Sequence, residues 1–180
     1  DALNIVRSDF TLENLVFKNI LADAFDSDFS VGSIKQISFI NCGNDGLDVS
    51  GGEVQVESIL FDGIGDKGLS AGEKSRVLID KLIGKNSRIA VASKDQSEVF
   101  INEAKIESSQ IGFAVFQKKP EFGPASIKVN KLEKFSIKTP FIVEEGSHLL
   151  IEGISVLPRA KNIKKFLYGE NFQDLEGFRN

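Results

Sequence analysis

The sequence holds only one cysteine, Cys42, and one histidine, His148, and it contains neither methionine nor tryptophan. A single cysteine excludes an intramolecular disulfide and any multi-cysteine metal site within the chain. A single histidine excludes a two-histidine metal site, and a Ser-His-Asp triad would have to use His148. No apolar run reaches the roughly 18 residues that a membrane-spanning helix requires. These absences remove common catalytic and metal-binding patterns, and they predict no membrane span.

The charge is distributed unevenly along the 180 residues, which amount to about one domain. Residues 1–66 contain 12 acidic and 3 basic side chains, whereas residues 67–180 contain 14 acidic and 19 basic ones. The acidic part suits cations and argues against nucleic-acid binding there. The lysines of the second part are spread over a long stretch, and we interpret them as a solvated surface. We therefore predict no nucleic-acid partner.

Short apolar segments recur along the chain at a nearly constant interval. Segments 1–5, 23–27 and 45–49 follow one another at steps of 22 residues. The central apolar positions of all copies are Leu3, Phe25, Leu47, Leu69, Ile89, Phe113 and Phe141. Repeats of this length are typical of solenoids, in which each repeat buries its apolar face only against its neighbours.

A second set of apolar positions keeps the same interval. Its members are Leu12, Ile34, Val56, Ile79, Ile101, Val129 and Ile151. Each is followed three residues later by a second apolar residue, the last of which is Ile154. Around these positions apolar and polar residues mostly alternate, which is the period of a β-strand. Glycine, asparagine, aspartate and serine fill the gaps, as expected for tight corners.

These patterns predict an all-β fold, a right-handed single-stranded parallel β-helix of about seven coils of about 22 residues. The right hand follows from the handedness of parallel crossover connections. We expect residues 1–157 to form this β-helix and to be the C-terminal part of a longer solenoid. The predicted partners of the β-helix are then other coils or modules of the same longer chain. Residues 158–180 depart from the repeat and predict a cap with a short helix, because the ends of a solenoid need protection from edge pairing.

Stacking of the coils predicts a patch of carboxylates on one face. Equivalent residues of adjacent coils lie roughly 4.8 Å apart, so Asp23, Asp26, Asp45 and Asp48 would be close neighbours. Such a cluster favours a bound cation, and calcium prefers oxygen ligands of this kind. Two alternatives stay open: the carboxylates are simply solvated, or Asp23 and Asp45 accept hydrogen bonds from backbone amides at the corners.

The acidic columns beside Lys67 and Arg88 resemble the layout of calcium-dependent polysaccharide lyases. The resemblance implies that calcium neutralises a uronate carboxylate, that Lys67 with a lowered pKa removes the proton, and that Arg88 holds the substrate. The alternative is that Lys67 pairs with Asp45 or Asp66 as an ordinary ion pair.

Two further resemblances bear on function. Residues 44–48 and 68–72 resemble coils of the polygalacturonase group of β-helix hydrolases, although the paired aspartates and the arginine-x-lysine element of that group are absent. Residues 1–110 resemble the β-helix repeat regions of bacterial secreted or surface proteins. That resemblance implies a non-catalytic, extracytoplasmic module that acts as a scaffold or contacts a polysaccharide. The alternatives are a calcium-dependent polysaccharide lyase and an adhesin or assembly rod that binds a protein.

Overall fold

In the computed structural model, which describes residues 1–169, the chain winds into a parallel β-solenoid of about seven turns with coils of about 22 residues. The predicted fold class is therefore confirmed. The elements are β1 (Leu3–Val6), β2 (Asp9–Leu12), β3 (Leu15–Ile20), β4 (Phe25–Asp28), β5 (Val31–Cys42), β6 (Leu47–Ser50), β7 (Glu53–Gly72), β8 (Arg76–Lys94), β9 (Glu98–Glu107), β10 (Ile111–Phe116), β11 (Ser126–Phe135), β12 (Thr139–Val143), β13 (His148–Ile151), β14 (Ile154–Val156) and the helix α1 (Ile163–Tyr168).

The coils present three faces. The first face stacks β1, β4 and β6, the last parts of β7 and β8, and then β10 and β12. The second face stacks β2, the first parts of β5, β7, β8, β9 and β11, and then β13. The third face stacks β3 and the later parts of β5, β7, β8, β9 and β11. Strands such as β7 and β8 are long because they continue around the corners between faces.

The register of the first face agrees with the sequence pattern at every coil but the fifth, since Phe113 and Phe141 continue the column after Val91. Leu3, Phe25, Leu47 and Leu69 pair in one column, as predicted. The next member is Val91, and the predicted member Ile89 pairs with Lys67 instead. An irregularity between Ile64 and Lys67 shifts the register at this point. The prediction for the fifth coil is therefore wrong by two residues.

The register of the second face agrees with the prediction from end to end. Each of the seven predicted residues from Leu12 to Ile151 pairs with its neighbour in the adjacent coil. Ile154 is the exception, because β14 turns back and pairs with β13 in antiparallel fashion, which places Ile154 opposite Ile151. Cys42 lies buried between Ile20 and Ile64 of the adjacent coils, as an apolar filler of the core.

Phenylalanine rings and aliphatic side chains fill the lumen. Phe25, Phe39 and Phe61 are fully buried, and Phe17 stacks on Phe39 with ring centroids 5.4 Å apart. Full burial of such a ring stabilises the fold by about 1.5–3 kcal/mol relative to an exposed ring. Gly68 lies so close to Phe61 that a Cβ atom would meet the ring at 2.4 Å. The lumen is thus tightly packed around these rings.

Corner residues are held by contacts that repeat from coil to coil. At the corner before the second face, the hydroxyl oxygen of a serine accepts a hydrogen bond from a backbone amide of the preceding coil. The pairs are Ser8 N to Ser30 Oγ at 3.0 Å, Gly52 N to Ser75 Oγ at 3.3 Å, Ser75 N to Ser97 Oγ at 3.1 Å and Ala125 N to Ser147 Oγ at 3.2 Å. These contacts give an acceptor to amides at the corners, of which those of Ser75 and Ala125 belong to buried residues.

The C-terminal segment covers a side of the solenoid. Ala160, Ile163 and Leu167 are buried against the outer side of the first face. The residues beneath them are Ile89, Ala92, Ile111, Ala114, Phe116 and Ile142. The predicted short helix is present, but it lies across a sheet rather than over the end of the stack. Residues 170–180 of the predicted cap lie outside the described residues. Among residues 1–169, no helix is long and apolar enough to span a membrane.

Candidate functional site

The predicted carboxylates lie together on the outer side of the first face. Asp26 pairs in register with Asp48 on the adjacent coil. Asp23 and Asp45 sit at the preceding corner, where Asp23 Oδ1 accepts the amide of Asp45 at 2.8 Å and Asp45 Oδ1 accepts the amide of Lys67 at 2.9 Å. The corner aspartates therefore bind the backbone of the next coil, which was one of the two alternatives to a bound cation.

Lys67 forms a buried ion pair with two carboxylates. Its Nζ atom lies 3.2 Å from Asp45 Oδ1 and also hydrogen bonds to Asp66 Oδ2. The side chains of Lys67 and Asp45 are each only 5% exposed. The alternative to a catalytic role, an ion pair of Lys67 with Asp45 or Asp66, is thus present with both partners.

The electrostatics of this pair oppose a role for Lys67 as a general base. Burial disfavours the charged ammonium, but the interactions with Asp45, Tyr168 and Asp66 outweigh it and raise the pKa of Lys67 above its ordinary value. Burial likewise raises the pKa of Asp45 to about 6, although Lys67 acts in the opposite direction. A general base must lose its proton near the working pH. The lyase mechanism requires a lowered pKa for Lys67, whereas the surroundings of Lys67 in this structure raise its pKa.

Arg88 lies beside Asp66 on the adjacent coil. It directly precedes Ile89, which pairs with Lys67. Nη1 of Arg88 lies 3.3 Å from Asp66 Oδ1, and Nη2 donates to the carbonyl of Leu167 at 2.8 Å. The guanidinium thus joins the carboxylate patch to the C-terminal end of α1.

The C-terminal segment also approaches the lysines of the patch. Tyr168 places its ring centroid 5.7 Å from Lys67 Nζ and 4.9 Å from Lys118 Nζ. Burial, followed by the nearby charges of Lys94 and Lys67, lowers the pKa of Lys118. Tyr168 and Lys118 were not predicted as members of the site, since they are distant in sequence and belong to no repeat column of the patch.

The four predicted calcium ligands do not act as one set. Asp45 forms an ion pair with Lys67, and Asp48 Oδ1 lies 4.0 Å from Lys94 Nζ. Within residues 1–169, the carboxylates close enough to share a metal ion are those of Asp1, Asp23 and Asp26, whose ligand atoms lie within 4.8 Å of one another. The donor set is suited to calcium, which takes carboxylate oxygens. Of the predicted ligands, Asp23 and Asp26 therefore fit a common cation.

Asp26 carries an unusual charge environment. Its Oδ1 atom is buried and has no hydrogen-bond partner among the described residues. Burial raises its pKa to about 7, with further contributions from Asp23, Asp48 and Asp28. The neighbouring aspartates thus repel the ionised form of Asp26 and favour its protonated form.

A second candidate site, which the sequence reasoning did not find, is an open groove of about 710 Å³ along the second face. We name it the ladder groove. Its two walls are rows of outward side chains that stand two residues apart on each coil. One row is Thr11, Ser33, Gln55, Leu78 and Phe100, and the other is Glu13, Lys35, Glu57, Asp80 and Asn102. A visible sequence pattern, the recurrence of polar residues at the coil interval, marks the whole second row and the first three members of the first row.

Hydrogen bonds between adjacent coils order the side chains of the ladder groove. Ser33 Oγ lies 3.3 Å from Thr11 Oγ1, and Asn102 Nδ2 donates to Asp80 Oδ1 at 2.9 Å. The ammonium of Lys128 lies 5.5 Å from the centre of the Phe100 ring, at the C-terminal end of the groove. The groove therefore presents a regular surface of polar and apolar side chains that runs parallel to the solenoid axis.

Comparisons with protein-family models, curated proteins and solved structures find no match to this chain. The fold places the chain among parallel β-solenoid proteins.

Proposed function

We propose that the chain is a non-catalytic β-solenoid module of an extracytoplasmic protein, a rigid scaffold with a surface that contacts carbohydrate. The observation that carries the non-catalytic part is the network of Lys67, Asp45, Asp66 and Arg88. Its charged groups bind one another and the carbonyl of Leu167. In a buried network whose charges are paired with one another, neither Lys67 nor Arg88 is free to accept a proton from a substrate.

The remaining parts of the proposal have separate support. The extracytoplasmic location rests on the resemblance of residues 1–110 to repeat regions of secreted and surface proteins. The scaffold role is supported by parallel pairing of coils along the solenoid, since a stack of coils that contact their neighbours forms an extended rod. Contact with carbohydrate is supported by the exposed polar rows on the second face.

An assay for eliminase activity separates this proposal from the lyase alternative. The chain is incubated with pectate and with alginate, with and without calcium, and the absorbance of unsaturated products is followed. We expect no increase in absorbance above a protein-free control. A calcium-dependent increase that disappears in the double variant Asp45→Asn/Lys67→Met would overturn the non-catalytic assignment. The double variant serves here because it removes both charges and leaves no unpaired buried carboxylate.

A further inference from the structure

We propose that the ladder groove binds an extended chain of neutral hexopyranose sugars that lies parallel to the solenoid axis. This inference rests on the proposed function and names the ligand class and the place of contact. The groove crosses five coils, from Thr11 on the first to Phe100 and Asn102 on the fifth. Adjacent coils are roughly 4.8 Å apart, so the floor offers about 19 Å of repeating surface for a linear polymer.

The side chains of the groove match the chemistry of sugar hydroxyl groups. Thr11, Ser33 and Gln55 are exposed and offer both donors and acceptors, one from each of three successive coils. Glu13 and Glu57 add carboxylate oxygens, which accept strong hydrogen bonds from hydroxyl donors. A polymer with several hydroxyl groups on every unit can use such a ladder at each step.

The apolar part of the groove adds a different contact. Leu78 and Phe100 follow Gln55 in the same row and are partly exposed. The C–H faces of a pyranose ring can pack on such side chains, while its hydroxyl groups remain turned toward the polar row. Ligand sites commonly combine apolar walls with a few oriented polar groups in this way.

The charge of the groove selects against anionic chains. Three carboxylates, those of Glu13, Glu57 and Asp80, line it together with the ammonium of Lys35, and the ammonium of Lys128 lies at its C-terminal end. A polyuronate or a nucleic acid would meet a net negative surface and be repelled. A neutral glycan meets no such penalty.

The backbone of the groove is not free to bind a peptide by strand addition. The strands β5, β7, β8 and β9 have parallel neighbours on both sides along the second face. Strand addition needs an unpaired edge with free amides and carbonyls. Recognition in the middle of the groove must therefore use side chains, which favours a hydroxyl-rich polymer over an extended peptide.

The test measures binding of defined oligosaccharides to the chain and to its variants by isothermal titration calorimetry. The probes are β-1,4-linked glucose and mannose hexasaccharides, oligogalacturonate of the same length and a glucosamine hexamer. We expect at least one neutral hexasaccharide to bind more tightly than the oligogalacturonate. Gln55→Ala and Glu57→Ala should each weaken that binding about tenfold, because each removes hydrogen bonds to the ligand. Glu133→Ala, an exposed residue of the third face outside the groove, is the matched control and should change the affinity less than twofold.

The outcomes separate the inference from the proposed function. Neutral glycan binding that survives both groove variants would overturn the inference and leave a carbohydrate-contacting surface elsewhere on the solenoid. Tighter binding of oligogalacturonate or of the glucosamine hexamer would overturn the neutral ligand class alone. If none of the probes binds, both the inference and the carbohydrate part of the proposed function fail.

Discussion

Replacing Asp26 by asparagine should make the solenoid more stable at neutral and alkaline pH. The substitution keeps the size of the side chain and removes a charge that burial and three neighbouring aspartates disfavour. The carboxylates that face it, Asp23, Asp28 and Asp48, would each lose a source of repulsion. The change therefore isolates the electrostatic cost of the cluster from the packing of the first face.

The expected magnitude follows from the pKa of Asp26. The carboxyl group has an ordinary pKa of 3.8 and a pKa of about 7 in the folded chain. Between these pH values the folded chain holds the proton more tightly than the unfolded chain, so stability falls as the pH rises through this window. The full difference between these two pKa values corresponds to about 4 kcal/mol in the free energy of unfolding. Because Asp26 is partly exposed, screening by solvent reduces the expected gain at pH 8 to about 1–2 kcal/mol.

Urea denaturation at several pH values, followed by circular dichroism, measures this effect. The wild-type chain should lose stability between about pH 4 and pH 7, and Asp26→Asn should show a flatter profile and a higher midpoint at pH 8. Asp9→Asn, the same change at an exposed aspartate of the second face, is the control and should leave the profile unchanged. A lower midpoint for Asp26→Asn at pH 8, or a slope equal to that of the wild type, would refute the electrostatic reasoning.

Two other substitutions test the structure of the patch and its cover. Lys67→Met should cost about 3–5 kcal/mol in the free energy of unfolding, because Asp45 remains buried without its partner, and Asp45→Asn in the same chain should restore most of the loss. Urea midpoints check both, and full stability of the single variant would contradict a buried ion pair. Leu167→Ala should cost about 2–3 kcal/mol and accelerate proteolytic cleavage within residues 158–169, because Leu167 anchors α1 on the first face. Leu60→Ala, on the exposed third face, is its control; equal cleavage rates would show that α1 is not held by this contact.

The fold was predictable from the sequence wherever the coil interval is constant. The column from Leu12 to Ile151 could be predicted from the recurrence of apolar residues in alternation with polar ones. The error at Ile89 has a physical cause: Val91 is buried in the lumen, whereas Ile89 is buried on the outer side of the first face beneath the C-terminal segment. Ile89 and Val91 are both apolar, so the alternation alone cannot choose between them, and the shift depends on the irregularity after Ile64.

The candidate site was predictable only in part. Stacking placed Asp26 beside Asp48, and the coil interval placed Lys67 next to Asp45. The burial of that pair was not predictable, because it depends on distant residues of the C-terminal segment. A signal for the covering segment was nevertheless present, since residues 89–92 and 111–114 are almost continuously apolar. Such runs are typical of strands that are buried on both sides.

The constant coil interval also bears on how the length of such a chain can change. Ser33 lies beside Gln55, and Ile34 beside Val56, on adjacent coils. Loss of residues 34–55 would therefore join Ser33 directly to Val56, which is the equivalent of the deleted Ile34 on the next coil. The lumen would keep an uninterrupted column, and the rod and its groove would shorten by roughly 4.8 Å. Unequal recombination in multiples of 22 residues could thus lengthen or shorten the molecule in whole turns, and the span of sugar chain that it covers would change in the same steps.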